Sequence, residues 1–368
     1  WLKDTESRTA WDRLIRDVET DINLAKWASS RDGLSFGFPH LVKARWDCLF
    51  AEFREAATKF TATKAFFEKQ EKRIKREAEF ARASHTPAGA WSLLEKLGAL
   101  VTACADAEGE MESSKSVADL ARFYTKKANV IDLAHFEIRR EADELGLPEV
   151  AHVADRSYAR YANFLNSRFF ERFSQQPTAD IEGIPLVTHH LGEKLWKSSG
   201  RRAVIIVDGL RYDCALAIQE VLKGHDVKIG AVRAELPTIT PIGMTALLPL
   251  GDAELSLEVR SNYPHPILNG TDCSQPKARL EYLVQFGADC RSIEDLESRS
   301  GKPKNLGELL VVAGHDELDD IGHGSADNLV RHLQLEVQRL GRLIRKLHLW
   351  GYESVHIVTD HGFILLEE

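Results

Sequence analysis

The chain has no cysteine pair to work with. Its five cysteines (Cys48, Cys104, Cys214, Cys273, Cys290) are odd in number and scattered, with no CxxC among them. That argues against a disulfide framework or a thiolate zinc site and for free thiols in a reducing cytoplasm. Long hydrophobic runs are missing too. Nothing approaches the ~18 consecutive apolar residues of a membrane span, and no signal peptide opens the chain, so no membrane partner is expected. A basic excess is also lacking: the formal net charge is −8, which leaves no global electrostatic case for nucleic acid. A local basic groove can still operate on an acidic protein. Proline and glycine are few, at 12 and 24 of 368 residues, and 43% hydrophobic with 28% charged residues is an ordinary globular composition. An initiating methionine is absent, and only seven residues follow His361. The chain is therefore expected to be an internal fragment of a longer protein, cut before its sheet is complete.

Residues 1–180 carry a helical pattern. Trp11, Leu14, Ile15 and Val18 fall at i, i+3, i+4 and i+7, an apolar stripe on a polar helix. Phe53–Ala83 contains no proline or glycine and mixes charge signs at helical spacing. Its Lys69, Lys72, Arg73, Lys75 and Arg76 are interleaved with Glu68, Glu71, Glu77 and Glu79, the pattern of a solvated face rather than a DNA-binding stripe. Trp91–Val101, Ser116–Lys126, Ala134–Leu145 and Tyr158–Phe173 continue the helical pattern up to a linker at Gln175–Thr178. From Ala203 the pattern alternates. Strands are predicted at Ala203–Val207, Val227–Ala234, Leu309–Gly314 and Val355–Thr359, and helices at Arg211–Lys223, Pro241–Leu248, Lys277–Phe286 and Ser325–Leu347. Asn262–Gln275 is rich in turn formers and predicts a loop or insertion. Strands alternating with helices in this way predict an α/β domain with a doubly wound, mostly parallel sheet, preceded by an all-α region.

Three of these strands run into carboxylates. AVIIV meets Asp208 in VDGLRYD, LLVVAG leads to Asp319 and His323 in HDELDDIGH, and VHIVT ends at Asp360-His361-Gly362. Open α/β sheets place their sites just beyond the carboxyl ends of strands. Carboxylates and imidazoles gathered there repel one another or lack partners unless a cation joins them. Taken singly, each has a plainer reading. Asp208-Gly209 is also turn punctuation, Arg211 and Asp213 form a surface ion pair, and His361 is also a helix start or a hydrogen-bonded core histidine. Asp319 and His323 are four residues apart, so on a single turn they face one ion, with Asp316, Asp320 and His315 as neighbouring competitors. Leu236–Pro241 (LPTITP) supplies hydroxyls. A threonine hydroxyl is a poor nucleophile until a base or a divalent cation takes its proton. Thr240 also suits an N-cap, with Pro241 at N1.

In the order VDGLRYD, ELPTITPIGMTALLP, DELDDIGH and VTDHGF, the segment from Ala203 to Glu368 resembles the PglZ branch of the alkaline phosphatase superfamily. The resemblance implies a two-metal phosphoryl- or sulfuryl-transfer site on a doubly wound α/β core. It implies that Asp208, Thr240, Asp360 and His361 surround one metal, with Thr240 the nucleophile, and that Asp319 and His323 bind the other. A further histidine expected downstream of the Asp-His pair does not occur before the chain stops. Residues 181–368 are on this reading the N-terminal portion of a PglZ domain, and residues 1–180 a candidate assembly region.

The resemblance further implies a cytoplasmic component of BREX phage defence, working with other BREX proteins and acting on DNA or a nucleotide. The expected cofactors are two divalent ions, zinc or manganese. A phosphodiesterase or nuclease is the expected activity. The competing expectation is a scaffold whose phosphatase-like fold binds partners without turnover. A sulfatase is disfavoured, because Thr240-Pro241-Ile242 lacks the Cys/Ser-x-Pro-x-Arg context of that chemistry.

Overall fold

The computed structural model describes residues 10, 13–14, 17–18, 21–23, 41–84, 88–175, 181, 183–315 and 326–362. The chain forms two compact units, one of Trp1–Ser113 with Ala134–Leu165, the other of Ser114–Leu133 with Asn166–Glu368. The apolar stripe at 11–18 falls partly outside the described residues, the linker at 175–178 mostly outside, and the acidic loop with Asp319 and His323 wholly outside.

The first unit is helical. It holds α1 (Leu41–Thr58), α2 (Lys64–Ser84), α3 (Ala88–Glu112) and the larger parts of α5 (Asn129–Leu145) and α6 (Pro148–Gln175). Its core is aromatic and leucine-rich: Leu49, Phe53, Trp91, Leu93, Leu94, Leu97 and Tyr161 are almost wholly buried. Phe66 and Phe67 meet edge to face at 5.3 Å, and a side chain at Gly98 would collide with Phe67. Gly146, at φ +66°, ends α5 in the left-handed conformation, and Pro148 opens α6, a pairing of stop and start signals that each residue suits. A buried charge cluster lies inside. His135 Nε2 is 2.6 Å and Arg139 Nε 3.3 Å from Asp155 Oδ1, with the imidazole stacked on Tyr158.

The second unit is mixed α/β around a parallel sheet. In chain order it contains α4 (Val117–Phe123), a π-helical turn (Tyr124–Ala128), α7 (Val187–Leu191), β1 (Arg202–Val207), α8 (Tyr212–Val221), α9 (Thr240–Ala246), β2 (Leu255–Arg260), β3 (Tyr263–Leu268), β4 (Thr271–Asp272), α10 (Pro276–Gln285), β5 (Asp289–Arg291), α11 (Ile293–Ser298), β6 (Leu309–His315), α12 (Ala326–Leu349) and β7 (Ser354–Thr359). The strand order is β5-β6-β1-β7, every pairing parallel. β1 is central and its Ala203–Val207 run is buried, as a strand covered on both faces requires. Leu310, Val311 and Val312 of β6 are equally enclosed. Truncating a buried leucine or isoleucine here to alanine costs about 2–5 kcal/mol. The Trp196 indole N–H donates to Leu247 O at 3.0 Å and fixes the turn after α7 beneath this core. α12 packs on α8 and β7, and its Leu333, Leu340 and Leu347 are buried.

Three expectations are corrected. Val227–Ala234 is not a strand: it makes one isolated bridge, Leu186 with Arg233, and none of its residues is buried. Both sides of β1 are already taken by β6 and β7, so this apolar segment has no central place to pair. Asn262–Gln275 is not a loop. It is most of an antiparallel sheet, β2-β3-β4, folded by two tight turns at Ser261-Asn262 and Asn269-Gly270, all four residues at positive φ. Paired positive φ is the turn geometry that matches strand twist, and Asn-Gly is its strongest signal. Lastly, Arg211 and Asp213 are not a surface pair; they are 4% and 2% exposed.

Candidate metal centre

Because β1 and β7 are parallel neighbours with Val207 opposite Thr359, the next residue of each strand leaves the sheet at the same edge. Those residues are Asp208 and Asp360, 3% and 4% exposed. His361 follows, with Nε2 at 3.3 Å from Asp360 Oδ2 and 3.6 Å from Asp208 Oδ1. The candidate ligand atoms of Asp208, Asp360 and His361 all lie within 4.8 Å of one another. Thr240 joins them, its Oγ1 within hydrogen-bond distance of His361 Nε2 at 3.2 Å. The cap of α9 is Ile239 rather than Thr240, and no side chain caps this helix. With Pro241 behind it and no cap bond to make, the Thr240 hydroxyl turns to the imidazole.

Close packing and three hydrogen bonds hold the cluster. The Gly209 N–H donates to Asp360 Oδ1 at 3.3 Å, and the Leu210 N–H donates to Thr359 Oγ1 at 3.0 Å. The Thr359 hydroxyl in turn donates to the His361 carbonyl at 2.9 Å. One threonine therefore links the loop bearing Asp208 to the turn bearing Asp360 and His361. Gly209 takes φ +67°, a conformation that costs glycine least. α9 lies directly on Asp360: a Cβ at Gly243 would sit 2.7 Å from Asp360 Cβ. Gly243 is thus what lets the helix carrying Thr240 come this near.

Burial raises the Asp360 pKa above the ordinary carboxylate range, against the opposing pull of His361 and the Gly209 N–H. Two buried carboxylates side by side are costly without positive charge. Among the described residues Asp360 Oδ2 is buried and accepts no hydrogen bond, with His361 Nε2 3.3 Å away. Two carboxylates, an imidazole and a hydroxyl are a mixed oxygen and nitrogen donor set, which suits zinc and also manganese. The residues present fit a divalent cation.

Of the residues expected from sequence, the structure brings Asp208, Thr240, Asp360 and His361 together. Asp319 and His323 lie outside the described residues. Sequence reasoning missed Thr359 and Gly243. Both had a positional signal: a hydroxyl immediately before a strand-end Asp-His, and a glycine one helical turn after the candidate nucleophile.

A carboxylate–imidazole–hydroxyl cluster at the carboxyl edge of a parallel sheet stands where an open α/β domain places its site. Residues 186–368 match the family described as the BREX system PglZ alkaline phosphatase-like domain, and this part of the chain belongs to that family. Such domains usually bind divalent metals, and their place in BREX systems implies other BREX components as partners. No curated protein matches the chain. No helix among the described residues is long and apolar enough to cross a membrane.

Proposed function

We propose that the chain is the metal-dependent phosphoryl hydrolase of a BREX defence complex, with Thr240 as nucleophile and a phosphodiester, in DNA or a nucleotide, as substrate. The observation that carries this reading is the meeting of Thr240 with Asp208, Asp360 and His361 at one edge of the sheet. A divalent cation held by Asp208, Asp360 and His361 would favour ionisation of the threonine hydroxyl and offset the charge of a phosphoryl oxygen. Thr240, its proton released to solvent, forms the Oγ1–P bond as the bond from phosphorus to the leaving oxygen breaks. Water then attacks phosphorus, the Oγ1–P bond breaks, and the hydroxyl is restored with a proton from that water. His361, next to Thr240, would hold the cation beside the hydroxyl. A second cation at Asp319 and His323, and a doubly wound arrangement of the helices about the sheet, belong to the same reading. The helical region 1–180 is the candidate assembly surface, with its stretches 114–133 and 166–180 belonging to the second unit.

The test is hydrolysis of bis-(p-nitrophenyl) phosphate by the wild type, Thr240→Ala and Asp360→Ala, with zinc or manganese and after chelation. Thr240→Ala should lose at least about a hundredfold in turnover, as removal of a nucleophile does. Chelation should abolish the wild-type rate. Wild-type turnover in both variants would sink the proposal, and no turnover by the wild type with either metal would leave the binding scaffold as the better account.

A further inference from the structure

The loop that carries Asp208 is anchored on two sides. Towards β7 it is held by the bonds of Gly209 and Leu210 to Asp360 and Thr359. On its other side stands Arg211, buried, whose Nε and Nη2 donate to Asp213 at 2.9 and 3.2 Å. Arg211 Nη2 also lies 3.6 Å from Asp132 Oδ2. Asp132 is on the first turn of α5, far upstream in sequence and buried at 4% exposure. The Tyr124 hydroxyl donates to the same Asp132 Oδ2 at 2.5 Å, and the Tyr124 ring packs on that of Tyr212, the residue after Arg211. The π-helical turn Tyr124–Ala128 sets this up. Asn129 Nδ2 donates to the carbonyls of Tyr124 and Thr125 and braces the widened turn. π-Bulges occur disproportionately at functional sites.

We infer that Asp132 is a positioning residue for the Asp208 loop, and that Ser114–Leu133, which lies outside the family match, is a working part of the phosphatase-like unit. The charges explain why the arrangement is specific. Arg211 sits between two buried carboxylates, and the Tyr124 hydroxyl donates to the second of them, Asp132. Burial, with Asp132 beside it, drives the Tyr124 pKa far upward, so this hydroxyl remains a donor at every working pH. A buried guanidinium held on two sides leaves the backbone of Arg211 little freedom, and Asp208 is three residues away. Gly362 closes the other face, its would-be Cβ 3.8 Å from Arg211 Cα. The inference rests on the reading of Asp208 as a metal ligand.

The experiment uses the full chain with Asp132→Asn, and with Tyr124→Phe as a milder second variant. Amide hydrogen exchange is followed at Gly209 and Leu210, together with calorimetric binding of zinc or manganese chloride. Exchange at these two amides should quicken about tenfold in Asp132→Asn while α3 stays protected, because a lost charged contact loosens the loop locally. Tyr124→Phe should act in the same direction, and both variants should bind the cation more weakly. Unchanged exchange in both variants, or a uniform rise over the whole chain, would overturn the inference. Should the wild type bind neither cation, the reading of Asp208 as a ligand fails, while the exchange result still decides the role of Asp132.

Discussion

Gly243→Ala separates positioning from stability at the centre. The added Cβ would lie 2.7 Å from Asp360 Cβ and 3.3 Å from the Asp360 carbonyl oxygen. Neither atom is the free end of a flexible side chain, and Asp360 is tied to Gly209. To reach ordinary contact, α9 must withdraw by roughly 0.7 Å, and Thr240, one turn earlier in the same helix, withdraws with it. The 3.2 Å contact between Thr240 Oγ1 and His361 Nε2 then opens beyond hydrogen-bond range. A misplacement near 1 Å can cost a reaction about a hundredfold, so turnover should fall about 10- to 100-fold. Stability should change far less. Alanine gains about 1 kcal/mol of helix propensity over glycine, and overpacking costs about 1–3 kcal/mol, which leaves a net loss of about 0–2 kcal/mol. Thermal melting read beside phosphodiester hydrolysis checks both halves. Gly109→Ala is the control, since Gly109 is helical with nothing near it, and it should melt slightly higher at unchanged rate. A Gly243→Ala enzyme that turns over like the wild type would refute the reasoning.

Two further outcomes follow from the hydrogen bonds. Thr359→Val removes both the acceptor for Leu210 N–H and the donor to the His361 carbonyl, and should cost about 1–3 kcal/mol in urea unfolding, with Thr359→Ser restoring most of it. Equal stability of the Val and Ser variants would show that the threonine links nothing. In the β2-β3-β4 sheet, the Ser274 hydroxyl and N–H, with His265, hold the Asp272 carboxyl at about 2, below its ordinary 3.8. A folded pKa below the unfolded one contributes stability in full above the unfolded value, lost as pH falls through the folded value. Asp272→Asn should therefore be the less stable protein at pH 7, with the gap to wild type closing between about pH 4 and 2. A carboxyl titration by NMR centred near 4 would contradict this.

The sheet was legible where strands are buried on both faces, because a continuous apolar run as short as Ala203–Val207, ending in Asp-Gly, suits a covered strand and little else. The same cue fails at Val227–Ala234, where apolar composition is present but, among the described residues, only the isolated bridge of Arg233 to Leu186 forms. At Asn262–Gln275 the spacing of the turn formers, not their density, carries the signal. Two pairs separated by a strand's length, Ser261-Asn262 and Asn269-Gly270, mark a folded ribbon, not a loop. The cluster at the edge was legible because Asp208, Thr240, Asp360 and His361 each sit at the end or start of a recognisable element. Asp132 was not. It lies in an amphipathic helix with no local motif, and its meaning depends on a distant arginine that local periodicity does not register.

The parallel pairing of β1 with β7 has a consequence for folding itself. Adjacent strands lie about 4.8 Å apart, so the ladder sets the spacing of the two carboxylates as a ruler would. A slip of one residue would send Asp360 to the opposite face and dissolve the cluster entirely. An ion bridging Asp208 and Asp360 would act as a proofreader of strand alignment, stabilising only the chain whose ladder is correctly matched. Saturation with such an ion and fidelity of the fold would then be one equilibrium observed from two sides.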